Sequence, residues 1–203
     1  MSLQAFQRAV VELTLAPLKA RALRAGDSGV LAAYDLTSCE QDRLRDIVRQ
    51  RGISVHCSLS RGNRYEIIHN AFPMTCVLLR PKLRELLDKL WEAYRPTNYQ
   101  LAGEETAFAA MLEARIAAGE LSIEYLPEVF AYEVACLKLT RQIWSGTDPH
   151  AEVESVVEFQ HSPDELLPPL SRLAAPPVGL PEGSYHVRVK LQAGRFHVEA
   201  ASR

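Results

Sequence analysis

The side chains best equipped for chemistry are dispersed along this chain. His56-Cys57, His69 and Cys76 lie in one stretch and carry the atom types of a zinc or thiolate site. Zinc sites use tighter paired spacings, and adjacent residues of a helix or strand point in different directions, so chelation by both His56 and Cys57 is awkward. No CxxC joins Cys39, Cys57, Cys76 and Cys136, which read as reduced thiols of a cytoplasmic protein. Carboxylates gather at Glu104-Glu105 and at Glu124, Glu128 and Glu133. The first pair opens a helix, where acidic side chains complement the positive end of the dipole, so a structural use outweighs general acid–base work. The chain has no Walker A loop, GxGxxG, GxSxG or HExxH. No catalytic, cofactor-binding or metal-ligating residue is therefore assigned to it.

Composition narrows the function classes further. The 203 residues carry a formal net charge of −2, a balance that does not favour counterion-release binding to nucleic acid. Arg43, Arg45, Arg49, Arg51, Arg61 and Arg64 concentrate basic charge, but Asp42 and Asp46 offset part of it at helical pair spacings. The cluster reads first as a solvated helix face and second as a surface for an acidic partner. No apolar run reaches the roughly 20 residues of a membrane span. The N-terminus lacks the pattern of a signal peptide.

The elements that must hold these residues are mostly helices. Leu83, Leu86, Leu87, Leu90, Trp91 and Tyr94 recur with helical period and form one apolar stripe. Pro73 and Pro81 each open a helix, because proline loses no intrahelical bond in the first turn. Helices are also expected over 3–15, 17–25, 63–71, 104–118 and 126–143, with Leu3, Phe6, Ala9, Val10 and Leu13 inward in the first. Thr37 to Glu40 reads as a capping box opening a helix that ends near Arg51, with Gly52 beyond it. Residues 53–59 are expected to be extended or a turn. Gly29 is followed by a short ambiguous stretch over 30–36.

Beyond Asp148 the pattern changes to β. Residues 153–160 are rich in β-branched side chains, and 185–191 alternate apolar and polar before a turn at 192–194 and a second strand over 195–200. Six prolines within 162–182 oppose long regular structure there, apart from a helical turn near 166–173. The fold class is thus α+β: a helical domain over 1–148 and a small antiparallel β appendage over 149–203. The hairpin has two readings of equal standing: its exposed strand edge accepts a peptide as an added strand, or it packs on the helices and covers its edge. Strand alternation selects Tyr185, Val187, Val189, Leu191, Phe196 and Val198 as one face of such a site. Arg188 and Lys190, with His186, form the opposite face toward acidic peptide residues. A proline at Val189 is expected to disrupt the strand and the binding.

Three stretches together carry a resemblance: RYEIIHNAFPMTCVLL over 64–79, the helix over 83–94 followed by Glu105 and Phe108, and YLPEVFAYEVACLKL from Tyr125. In this order they resemble the partner proteins of multinuclear non-haem iron oxidases, over roughly residues 1–143. The length and the short β C-terminus look most like the MbnC family of methanobactin-biosynthesis partners. The resemblance implies a non-catalytic subunit that forms a heterodimer with an MbnB-like iron oxidase. That subunit recruits the leader of a ribosomal precursor peptide, whose cysteines the complex converts with dioxygen to oxazolone–thioamide groups. Iron then belongs to the partner enzyme, and no cofactor to this chain. A partner of a related cysteine-modifying iron oxidase, and a helical DNA-binding regulator, are the alternatives.

Overall fold

The computed structural model describes residues 3–94, 103–145, 153–192 and 194–201. The elements are α1 (Leu3–Leu15), α2 (Pro17–Arg24), α3 (Ser38–Arg49), α4 (Arg51–Ala71), α5 (Pro73–Leu78), α6 (Arg80–Ala93), α7 (Glu104–Ala117), α8 (Leu126–Ser145), β1 (Val153–His161), α9 (Pro163–Ser171), β2 (Glu182–Gln192) and β3 (Arg195–Ala200), with a 3-10 turn at Ser28–Leu31. The chain is a helical fold with a small three-stranded antiparallel sheet toward its C-terminus, the α+β class expected. Among the described residues no helix is long and apolar enough to cross a membrane.

The compact units do not follow a single break near 148. One draws on residues 1–67 and 82–108, the other on 68–81 and 109–203. The sheet belongs to the second unit because β1 and β2 pack on α8. The expected links at 95–101 and 146–149 lie outside the described residues.

In the first unit, Ala9 and Leu13 of α1, Leu23 of α2, Leu31, Tyr34, and Leu44 and Val48 of α3 form a buried cluster. Leu3 is not part of it. Standing at the start of α1, it is exposed, whereas Phe6 and Val10 pack against the cluster. Thr37 caps α3 through its hydroxyl to the Glu40 amide, and Glu40 returns a carboxylate bond to the Thr37 amide, so the capping box forms as expected. The end of α3 falls elsewhere. Gln50 turns extended, α4 starts at Arg51, and Gly52 lies in its first turn rather than beyond a helix. The stretch expected to be extended is therefore helical. Val55 and Leu59 are exposed there. In α6 the expected stripe is real: Leu83, Leu86, Leu87, Leu90 and Trp91 are buried, and each such side chain contributes about 1.5–3 kcal/mol.

The second unit is built around α8. Phe130 of α8 meets Phe72 with ring centroids 5.8 Å apart. β1 pairs antiparallel with β2, and β2 with β3, so β2 is central. The register places Val157 and Phe159 beside Val187 and Tyr185, and Val187 and Val189 beside Ala200 and Val198. Alternation then sends Val157, Phe159, Val187, Val189 and Leu191 to one buried face. α9 survives Pro168 and Pro169 as a two-turn helix because Leu166 and Leu170 are fully buried.

Candidate functional site

β3 is one of the two edge strands of the sheet, β1 being the other. All six of its residues are exposed, and among the described residues no strand pairs with its outer side. The orientation of its backbone follows from the register. Ala201 donates its amide to the His186 carbonyl at 2.7 Å, so these directly opposed residues form a hydrogen-bonded pair. Antiparallel pairs alternate between bonded and non-bonded, so Arg195, His197 and Glu199 direct their backbone groups to β2. Phe196, Val198 and Ala200 direct theirs outward, to the open edge. Their side chains lie on the same face as Val187 and Val189. That face is covered at β2, but at β3 it leaves Phe196 44% and Val198 48% exposed.

A groove of about 770 Å³ adjoins this strand. Met74, Tyr132, Leu167 of α9, Tyr185, Val187 and Val198 supply its apolar lining. Asp164 and Glu199 add carboxylates and His186 an imidazole, and among the described residues no lysine or arginine lines it. An open backbone edge beside a partly apolar groove is the geometry that takes an extended peptide: main-chain bonds provide affinity and alternate side chains enter the groove.

The residues selected from strand alternation are distributed unequally over this site. Phe196 and Val198 lie on the open strand, and Tyr185 and Val187 line the groove. Val189 and Leu191 are buried at 0% and 4% exposure in the central strand, whose two edges are both occupied. A proline at Val189 would remove a β1–β2 bond from the core of the sheet, so it tests folding rather than binding. Arg188 and Lys190 face the opposite side, where the sheet's own acids meet them: Arg188 lies 3.8 Å from Glu154, Lys190 3.6 Å from Glu199, and His186 3.8 Å from Glu158. Alternation identified the faces but could not tell a central strand from an edge.

Sequence reasoning missed the buried charges that hold these elements. Glu133 is 3% exposed on α8 and accepts the amides of Met74 and Thr75, both at 2.8 Å, at the start of α5. Burial pushes its pKa up to about 7, and the two amides and the Thr75 side chain offset part of that rise. Since Met74 lines the groove, Glu133 positions one of its walls. Glu128, also on α8, accepts the amides of Gln160 and His161 and contacts His161 Nδ1 at 2.7 Å, fastening the end of β1. Both of its oxygens are engaged, so this Glu–His pair has a structural use.

Arg64, one of the arginines expected on a solvated helix face, is 1% exposed. It donates to Glu104 at 2.5 Å, to the Leu15 carbonyl at 3.2 Å and to the Tyr94 carbonyl at 3.1 Å. Glu104 is 0% exposed, which goes beyond a helix-dipole role. Burial lowers the Arg64 pKa and raises that of Glu104, each opposed by the other's charge. Arg64 and Arg61 both lie over Trp91, at 5.1 and 5.7 Å from the ring centroid. A signal was available: Arg64 stands four residues before Ile68 and Glu104 four before Phe108, each on the helix face that carries a fully buried side chain.

The cysteines are free. Burial pushes Cys76 up to about 12 and Cys136 up to about 11, which keeps both as thiols at neutral pH. Among the described residues no group of three or more His, Cys, Asp or Glu is placed to hold a metal ion. No family model matches this chain, and no curated protein matches it.

Proposed function

We propose that this chain is a non-catalytic, cytoplasmic accessory subunit that recruits the leader of a ribosomal precursor peptide to an iron oxidase. The observation that carries the reading is the open outer edge of β3 beside the groove. The leader adds to β3 as a fourth strand. Its alternate side chains cover Phe196 and Val198 and reach toward Met74 and Tyr132, and its main chain bonds to Phe196, Val198 and Ala200. The partner is the multinuclear MbnB-like enzyme that the sequence resemblance implies. It holds the iron and, with dioxygen, oxidises peptide cysteines to oxazolone and thioamide groups. The thiols of Cys76 and Cys136, kept protonated by burial, suit a chain that leaves the chemistry to its partner.

Two measurements test this. Co-expression with the iron oxidase is expected to give co-elution at one-to-one on size exclusion, with iron retained. Leader binding, followed by fluorescence anisotropy on the complex, is expected to disappear in Val198→Pro. The Val198 amide points outward, so proline there removes an edge donor and leaves the β2 ladder intact. Separate elution would remove the heterodimer, and unchanged leader affinity in a folded Val198→Pro complex would remove the edge as the recruiting site.

A further inference from the structure

β3 also has the sequence of a strand that pairs with itself. Edge strands are usually blunted by short length, proline, charged side chains (lysine above all) or a bulge. The six residues of β3, RFHVEA, contain no proline or lysine, and the register with β2 is continuous over all of them. What they do contain is opposite charge placed symmetrically about one residue: Arg195 and Glu199 each stand two positions from His197.

An antiparallel pairing of two identical strands has a two-fold axis, and the outward backbone groups determine where it can lie. Only Phe196, Val198 and Ala200 present their amides and carbonyls to the edge. An axis through His197 sets Phe196 of one copy opposite Val198 of the other as a hydrogen-bonded pair, twice by symmetry. The same axis sets Arg195 opposite Glu199 of the second copy, also twice, at the closer non-bonded spacing where cross-strand charges interact most. The apolar residues meet apolar residues on one face, and opposite charges meet on the other.

We infer that β3 is a homodimerisation edge: two copies of this chain join their sheets antiparallel about an axis through His197, held by reciprocal Phe196–Val198 main-chain pairs and Arg195–Glu199 charge pairs. The occupant is a second copy because charge and register are self-complementary, whatever else the edge also binds. Pairing uses the same outward groups as an added peptide strand, so the two are mutually exclusive.

Sedimentation equilibrium of the chain alone, with neither oxidase nor peptide present, tests this independently of the function proposed above. The expected result is a concentration-dependent species of twice the 22.7 kDa chain mass. Val198→Pro, with unchanged circular dichroism, is expected to be monomeric. Glu199→Arg, which sets like charges across the axis twice, is expected to weaken the dimer roughly tenfold. The swap Arg195→Glu/Glu199→Arg is expected to restore it, although Lys190 loses its contact with Glu199 in both variants. A wild-type chain that stays monomeric at every concentration overturns the inference. So does a dimer that persists in folded Val198→Pro. If Val198→Pro does not fold, a dimer that responds equally to the single reversal and to the swap overturns it.

Discussion

Arg64 in the first compact unit and Glu133 in the second are both buried, at 1% and 3% exposure, yet they are stabilised by different partners. Arg64 has a buried counter-ion, Glu104, two backbone carbonyls and the face of Trp91. Glu133 has the Met74 and Thr75 amides at the start of a six-residue helix. The first arrangement keeps two charges in place through each other. The second stabilises one charge with amide dipoles, which offset its desolvation only partly, so Glu133 titrates near neutrality. Burial raises the pKa of both carboxylates; a guanidinium opposes the rise at Glu104, and at Glu133, where uncharged donors oppose it, the pKa reaches about 7.

The largest test of this contrast is Arg64→Ala. It leaves Glu104 buried without its cation, and unfolding by denaturant is expected to show a loss of about 3–5 kcal/mol. A loss below about 1 kcal/mol would mean that water replaces the guanidinium, and the contrast would fail.

The next is pH. Glu133 binds its proton more tightly in the folded chain, near 7, than at the unperturbed 4.5 of an unfolded one. Its contribution to stability is therefore fully present below about 4.5 and is lost as pH rises to 7. On this account the stability difference between the wild type and Glu133→Gln changes by about 3 kcal/mol across that window, moving against the wild type as pH rises. A pH-independent difference would show that Glu133 binds its proton equally in the folded and unfolded chain, and that burial does not raise its pKa.

The smallest effect separates neighbours within the first unit. Arg61 lies over the same Trp91 and donates to Asp88 at 2.7 Å, but its side chain is 27% exposed. Arg61→Ala is expected to cost about 1 kcal/mol, several-fold less than Arg64→Ala. Equal losses would show that burial does not distinguish the two arginines.

Much of the fold is legible from local chemistry. Pro73 opens α5 and Pro81 stands in the first turn of α6, Thr37 and Glu40 cap α3, and the alternation over 185–191 marks β2. These features depend on residues within one or two turns of each other, so sequence spacing reports them directly. The helix over 53–59 was not legible, because the β-branched and polar residues there lack a helical apolar period, and Val55 and Leu59 are exposed. At the candidate site, alternation indicated which side chains share a face. It could not show that β1 takes one side of β2, nor that β3 keeps an open edge.

The sequence by itself determined the α+β class, the capped and proline-started helices, and the alternation of the C-terminal strands, because each is set by neighbours along the chain. Only the tertiary structure decided which strand is central, that Arg64 and Glu104 meet across 40 positions, and that Glu133 reaches back 58 and 59 positions to hold α5. Strand order and buried charge pairing depend on residues far apart in sequence. Local propensity carries no information about which of them will be brought together.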